Sequence, residues 1–231
     1  MIDVSKIDFI DYGCKFGGSF SIGYRLGGKR GLGFDILPHV VDEAVRRGHQ
    51  AVVGDATDLA IPDNSVRFSI MSHFLEHLPD LESVEKAIAT ALRVSTDCIF
   101  LRGPMFDDEY LANLGLKTYW SDWTGHPCHL TDKQLEAILA KLGVARSSYR
   151  LNWVSPIRSS RDKTIHPLDS PKDQHGYVAK KHPPKPFVVF DQTLYREWVC
   201  IVLLNNDRRL YSQLYPGNPI MRQLTWWGLV A

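Results

Sequence analysis

Apolar and polar positions follow a repeating order through the first hundred residues: a short apolar run, an acid at its end, a glycine or proline, then an amphipathic stretch. The run over 7–10 closes on Asp11 and breaks into glycines, as a buried strand does where it hands over to a helix. Residues 19–26 read as a short helix and 31–35 as a second strand ending in Asp35. Pro38 suits a first helical turn, Val40, Val41, Ala44 and Val45 follow at helical spacing, and Arg46-Arg47-Gly48 stops that helix. A third short strand, 51–53, leads to Gly54 and Asp55; 66–71 supplies a fourth strand and 98–101 a fifth. Between the last two, 79–93 reads as a helix with Leu81, Val84, Ile88 and Leu92 on one face. Strand and helix alternating this regularly imply an α/β fold with an open parallel sheet, whose ligands bind outside the carboxyl ends of the strands. Asp11, Asp35, Asp55 and Ser72 are expected to meet there.

The second half is less regular. Residues 106–124 form an irregular stretch with a short helix over 109–114, and Tyr119, Trp120 and Trp123 within it are either a substrate wall or packing over the sheet's end. Thr131 and Gln134 make a capping-box pattern at the start of a helix over 132–142. Residues 149–154 and 197–204 read as strands six and seven. The long connection between them, 155–188, is rich in Pro, Lys and His and reads as a loop or lid. Its mild basicity suits a solvated surface better than nucleic-acid contact.

Length and charge narrow the classes. At 231 residues and a net charge of +1, the chain suits one large domain, and no strongly anionic partner is implied. No apolar run approaches the ~20 residues needed to span a bilayer, and Met1-Ile2-Asp3-Val4 lacks the regions of a signal peptide. A soluble, cytoplasmic protein without membrane contact is expected. Cys14, Cys98, Cys128 and Cys200 form no C-x-x-C pair and read as buried or idle thiols.

The candidate chemistry gathers at the first turn. A side chain at Gly13 or Gly17 would hold the backbone away from a ligand lying across the helix start. The spacing is G-x-x-x-G-G, which is not the G-x-G-x-x-G of dinucleotide enzymes. Asp11 would repel a diphosphate yet suits a cationic amine, directly or through water, which favours S-adenosylmethionine over NAD. Asp35 stands about 20 residues past the glycines, where a carboxylate holds ribose hydroxyls; capping the next helix is an equally ready role.

Asp11-Tyr12-Gly13-Cys14 with Gly17, Asp35, Gly54-Asp55-Ala56-Thr57-Asp58-Leu59, Ile61-Pro62-Asp63-Asn64-Ser65 and Ser72-His73-Phe74-Leu75-Glu76-His77-Leu78 together resemble class I S-adenosylmethionine-dependent methyltransferases, over about residues 7 to 155. Within that class the chain looks most like the small-molecule group with the L-E-H-L motif. The resemblance implies a Rossmann-like doubly wound sheet of seven strands, order 3-2-1-4-5-7-6, with strand 7 antiparallel. It implies one methyltransferase domain over 1–231: core 5–155 and 194–205, insertion 156–190 and aromatic tail 206–231. It also implies that Asp11, Gly13, Cys14 and Gly17 surround the donor's methionine part, Asp35 with Ile36 its ribose, Asp55 with Ala56 its adenine, and that Ser72 lies beside them. Lys15 stands where glycine is common, and either points to solvent or pairs with the donor's carboxylate. With strand one read so close to Met1, no helix that precedes it and covers the donor, as is common in the family, is expected, and the 155–188 connection or the tail is expected to cover the donor instead. That tail, with Tyr211, Leu214, Tyr215, Trp226 and Trp227, is expected to dock on its own domain or on a second copy as a homodimer.

The implied reaction is methyl transfer to a small-molecule acceptor, with a hydroxyl on a sugar or secondary metabolite the leading candidate. His73 and His129 are the candidate bases for its proton. The Asn-Pro-Pro-Tyr signature of nucleic-acid amino methyltransferases is absent after strand four, which disfavours base methylation. A donor-binding module without catalysis and an NAD-dependent oxidoreductase are the competing classes. Finally, His73, Glu76 and His77 would share one face if helical, with His129 approaching. This resembles the Glu-x-x-Glu-His motif of ubiquinone-pathway and small-RNA 2′-O-methyltransferases and suggests a divalent metal, although Glu76 and His77 also cap or pack in relatives without one.

Overall fold

The computed structural model describes residues 3–205. Its main sheet has seven strands: β1 (Phe9–Tyr12), β2 (Gly31–Asp35), β3 (Ala51–Val53), β4 (Val66–Ser72), β5 (Ser95–Pro104), β7 (Tyr149–Ser159) and β9 (Val189–Leu203). Their spatial order is β3-β2-β1-β4-β5-β9-β7. The first five strands run parallel, and β9 runs antiparallel to both neighbours. This is the expected Rossmann-like order, the sixth and seventh expected strands being β7 and β9. A separate pair, β6 (Leu116–Thr118) with β8 (Ile165–Pro167), lies outside it. The helices are α1 (Phe20–Arg25), α2 (Pro38–Arg46), α3 (Leu81–Val94), α4 (Asp108–Asn113) and α5 (Asp132–Lys141).

The alternation of strand side chains divides the core into two layers. Ile10 and Tyr12, Ile99 and Leu101, and Cys200 and Val202 join Val84, Ile88 and Ala91 of α3 on one face. Phe9, Phe68, Phe100, Val199 and Ile201 join Phe20 and Ile22 of α1 on the other. Asp11 shares the α1 face with Phe9, and it is fully buried there. Helix ends follow the chemistry read from the sequence. Asp80 accepts from the Ser83 N–H at 2.8 Å, Gly48 takes a left-handed φ of 87° after α2, and Thr131 and Gln134 complete a reciprocal capping box at α5.

Several strands exceed their expected bounds. β5 begins at Ser95 and runs to Pro104, through polar residues that an apolar run does not reveal. β7 and β9 continue past the sheet as a ribbon, pairing Pro156 with Tyr195, Ile157 with Leu194 and Ser159 with Val189. A third apolar cluster, including Phe106, Leu116, Trp120, Ile157, Ile165 and Leu194, backs this ribbon. The connection expected as an irregular 155–188 loop is thereby shortened, and it contains β8. Trp120 is nearly buried, with its indole N–H donating to the Met105 carbonyl at 2.8 Å, so packing is the role the structure gives it. All four cysteines are free and buried. No helix among the described residues is long and apolar enough to cross a membrane. The tail expected to dock or dimerise, from 206 onward, lies outside the described residues.

Phe9 offers a direct test of the α1 packing. It stacks on Phe68 at 5.4 Å between centroids, and a Cβ added at Gly23 of α1 would run into its ring. Gly to Ala in a helix ordinarily gains about 1 kcal/mol. Here overpacking is expected to reverse the sign, so that Gly23→Ala loses about 1–3 kcal/mol in a denaturant unfolding measurement.

Candidate functional site

The carboxyl ends of β1, β2, β3 and β4 open onto a cavity of about 950 Å³, near the upper end of the ~300–1,000 Å³ usual for small-molecule sites. The turn after β1 forms its floor. Gly13, Lys15 and Gly17 all have positive φ, at 63°, 46° and 89°, so three of five successive residues are left-handed. At Gly13 a Cβ would strike the ring of Phe74, and at Gly17 that of His49, so neither position admits another residue without displacing its neighbour. Lys15 tolerates the conformation because its N–H donates to Asp35 Oδ2 at 3.0 Å. Its side chain is exposed, with the ammonium 5.7 Å from the Phe16 ring centroid.

The acids differ in their surroundings. Asp35 is fixed by two backbone donors, Lys15 N–H and Leu37 N–H at 3.0 and 3.1 Å, one to each oxygen. The chain turn thus sets the carboxylate, and each oxygen keeps a lone pair for a ligand. Asp55 accepts from the N–H and hydroxyl of Thr57 at 2.8 and 2.7 Å, which lowers its pKa. Asp11 takes only the Ser19 hydroxyl, at 2.6 Å on Oδ2, while Oδ1 is buried without a partner. Burial raises the Asp11 pKa to about 7 against the lowering effect of the Ser19 bond, with a further push from the negative charge of Asp35.

Gly13, Cys14, Asp35, Ile36, Asp55, Ala56 and Ser72 line the cavity together. Asp11 and Gly17 are not in its lining: Asp11 is fully buried, and Ser19 occupies the lining in front of it. Direct contact between Asp11 and a donor amine therefore gives way to contact through Ser19 or a water. None of residues 155–188 lines the cavity either, which removes that connection as its cover in this structure. Glycines that admit no side chain and an orphaned buried carboxylate oxygen together fit a cationic nucleoside donor.

Beyond Ser72 the wall changes character. His73 has a left-handed φ of 52°, its N–H donates to the Arg102 carbonyl at 2.9 Å, and its ring lies between two acids. Nδ1 is 3.3 Å from Glu76 Oε1, and Nε2 is 3.3 Å from Glu197 Oε1. Arg102, itself buried, donates through Nε and Nη2 to Glu197 Oε2 at 2.9 and 2.7 Å. Burial alone would depress the imidazole, but Glu197 and Glu76 outweigh it and raise its pKa to about 9.

The helical face expected for His73, Glu76 and His77 does not form. The segment is a single 3₁₀ turn, Leu75–His77, and the left-handed His73 ahead of it points elsewhere. His129 faces away as well. Its Nδ1 is 2.6 Å from Asp108 Oδ2, its ring stacks on Phe106 at 4.3 Å, and it does not line the cavity. Arg102 and Glu197 were not anticipated. A charged residue at the start of an otherwise apolar strand, such as Glu197 before 198–203, is the signal that points to them.

Residues 10–100 match a family model described as a methyltransferase domain. Among solved structures, a SAM-dependent methyltransferase from Archaeoglobus fulgidus is similar at 16% identity and a TM-score of 0.58, over 87% of this chain and 88% of that one. A SAM-dependent methyltransferase from Methanosarcina mazei is similar at 14% and 0.53, over 86% and 92%. The YcgJ protein from Bacillus subtilis is similar at 19% and 0.51, over 67% and 68%. No curated protein matches the chain. The sheet order and the glycine-floored cavity agree with the methyltransferase-domain match over 10–100, and the fold is that of the S-adenosylmethionine-dependent methyltransferases the chain is similar to. A transferase with S-adenosylmethionine as its methyl donor is the reading that this match supports.

Asp11 gives the donor-free protein a pH signature. Its carboxyl, ordinarily near 3.8, titrates at about 7 when folded. Between those values the folded chain holds a proton that the unfolded chain has released, so this group's contribution to stability is greatest at low pH and falls as pH rises through 7. Asp11→Asn removes that slope. The expected result is that the melting temperature of the donor-free parent falls relative to Asp11→Asn between pH 5.5 and pH 8.

Proposed function

We propose that the enzyme methylates a hydroxyl on a small, oxygen-rich acceptor such as a sugar or secondary metabolite. The observation that carries this reading is the wall of His73 and Arg102 beyond Ser72, where an imidazole backed by the Glu197 carboxylate meets the same cavity as the donor site. The bound donor supplies an electrophilic methyl on its sulfonium. Asp11, through Ser19, stabilises the donor's cationic methionine part against the backbone at Gly13 and Cys14. Asp35 accepts from the ribose hydroxyls beside Ile36, and Asp55 with the Ala56 backbone receives the adenine edge.

The acceptor oxygen must then lie in line with the methyl, so most of what the wall contributes is position. His73 lines this side with Glu197 behind it, and its neutral form, whose share grows as pH rises toward 9, is the one that takes up the hydroxyl proton. His129, already engaged with Asp108, is better suited to holding the loop before α5 than to catalysis. A cavity at the end of a narrow turn also suits a small molecule better than a nucleic acid.

Two measurements separate donor and acceptor roles. Asp35→Ala should weaken S-adenosylhomocysteine binding in calorimetry by roughly 10- to 150-fold, the worth of a charge-assisted hydrogen bond; unchanged affinity would reject the ribose assignment. His73→Asn and Glu197→Gln should keep S-adenosylhomocysteine affinity within about 3-fold while lowering kcat by roughly 10²- to 10⁴-fold. Product analysis with a panel of hydroxyl, amine and carboxyl acceptors identifies the methylated atom, and turnover confined to amines would overturn the hydroxyl reading.

A further inference from the structure

Three ligating groups that the donor site does not use converge where the 3₁₀ turn after β4 meets the loop before α5. Glu76, His77 and His126 each bring one such atom within 4.8 Å of the other two. Glu76 is 2% exposed, and its Oε2 is buried without a hydrogen-bond partner, while Oε1 faces His73. The imidazoles are oriented from behind. His77 Nδ1 lies 2.6 Å from the Gly125 carbonyl, and His126 Nδ1 lies 3.0 Å from the Trp120 carbonyl.

A carbonyl oxygen only accepts, so in each neutral ring Nδ1 carries the hydrogen and Nε2 keeps its lone pair. Holding the outer nitrogen on a backbone carbonyl is how proteins set the tautomer and direction of metal-binding histidines. The two rings meet edge to face at 4.8 Å, close enough to share one ion. We propose that Glu76, His77 and His126 form a binding site for a divalent transition metal of the zinc type. Ligands about 2.1 Å from a tetrahedral ion lie roughly 3.4 Å apart, so groups as far as 4.8 Å apart must close by up to about 1.4 Å, a movement to which side-chain rotation of the exposed His77 contributes.

Two nitrogens and one carboxylate oxygen suit zinc, cobalt or iron better than magnesium, which takes oxygen ligands and keeps its waters. Three protein ligands leave a fourth position open, and His77 also lines the donor cavity, so that position faces the acceptor's side. The site stands on its own geometry, but its role rests on the hydroxyl reading above. There the ion lowers the pKa of an acceptor hydroxyl, whose proton leaves to water. The new O–CH3 bond then forms as the donor's S–CH3 bond breaks and sulfur keeps the electron pair.

The test is a cobalt(II) titration of the full chain after chelation and dialysis, followed by visible absorption. One equivalent should bind with the intense bands of a tetrahedral site, zinc should displace it, and magnesium should not. His126→Ala and Glu76→Gln should each weaken cobalt binding by more than about 100-fold, beyond the usual cost of losing a supporting residue; His39→Ala, on the exposed face of α2, should leave it unchanged. Parent protein showing only the weak spectrum of hydrated cobalt overturns the proposal whether or not the variants fold. Folded His126→Ala and Glu76→Gln binding cobalt as tightly as the parent overturns it too. S-adenosylhomocysteine calorimetry on the same samples reads the donor site separately, so a failure there strikes the donor assignment and leaves the metal result standing.

Discussion

A carboxylate stands in the strand that water reaches on neither face. β1 lies inside the sheet between β2 and β4, with core on both sides, and Asp11 is its only ionisable member besides the phenol of Tyr12. Neutral, the acid is tolerable there; charged, it calls for a cation. The glycine turn follows from the same constraint, because only a chain free of side chains lets a ligand come near enough to answer that charge. The turn's shape is then handed to Asp35 through the Lys15 N–H, so two strands and two acids share one bend. In this molecule, donor binding and the integrity of the central strand are aspects of one electrostatic problem.

The proposed acceptor side is built on a different principle. Its groups come from opposite ends of the chain. His73 and Glu76 follow β4, Arg102 ends β5, and Glu197 arrives on β9, whose antiparallel register sets Glu197 across from Pro104. Antiparallel entry brings the point where β9 first pairs with β5, not the end of β9, to the ligand edge of the sheet, so a strand late in the sequence can contribute a side chain where parallel strands contribute their exits. The Arg102–Glu197 pair is the clasp of that junction. It neutralises two charges that would otherwise be costly to bury, and it leaves one glutamate oxygen for His73.

This contrast explains how much was legible beforehand. Elements in the first hundred residues could be read because each carries its own local signal, an apolar run with an acid and a glycine behind it. Asp11, Asp35 and Asp55 stand out for that reason. Strand ends were harder to place. β5 gains its flanks, and β7 and β9 gain their ribbon, from partners far away in sequence. The histidines illustrate the limit most sharply. A helical spacing grouped His73 with His77, but a single left-handed residue at His73 and the helix-ending Pro79 leave only one 3₁₀ turn, and a change of one dihedral sends neighbouring imidazoles to different partners. His126 had no local pattern to announce it.

Asp173 clasps the backbone and hydroxyl of Thr124 at 2.7 and 2.6 Å, tying the long β7–β9 connection to the loop that carries His126. Two segments about fifty residues apart in the chain thus act as one mechanical part. Lengthening, trimming or exchanging one without the other would pull His126 off its seat. In a chimaera made to alter what the enzyme accepts, the unit of exchange is therefore the pair, loop and connection together.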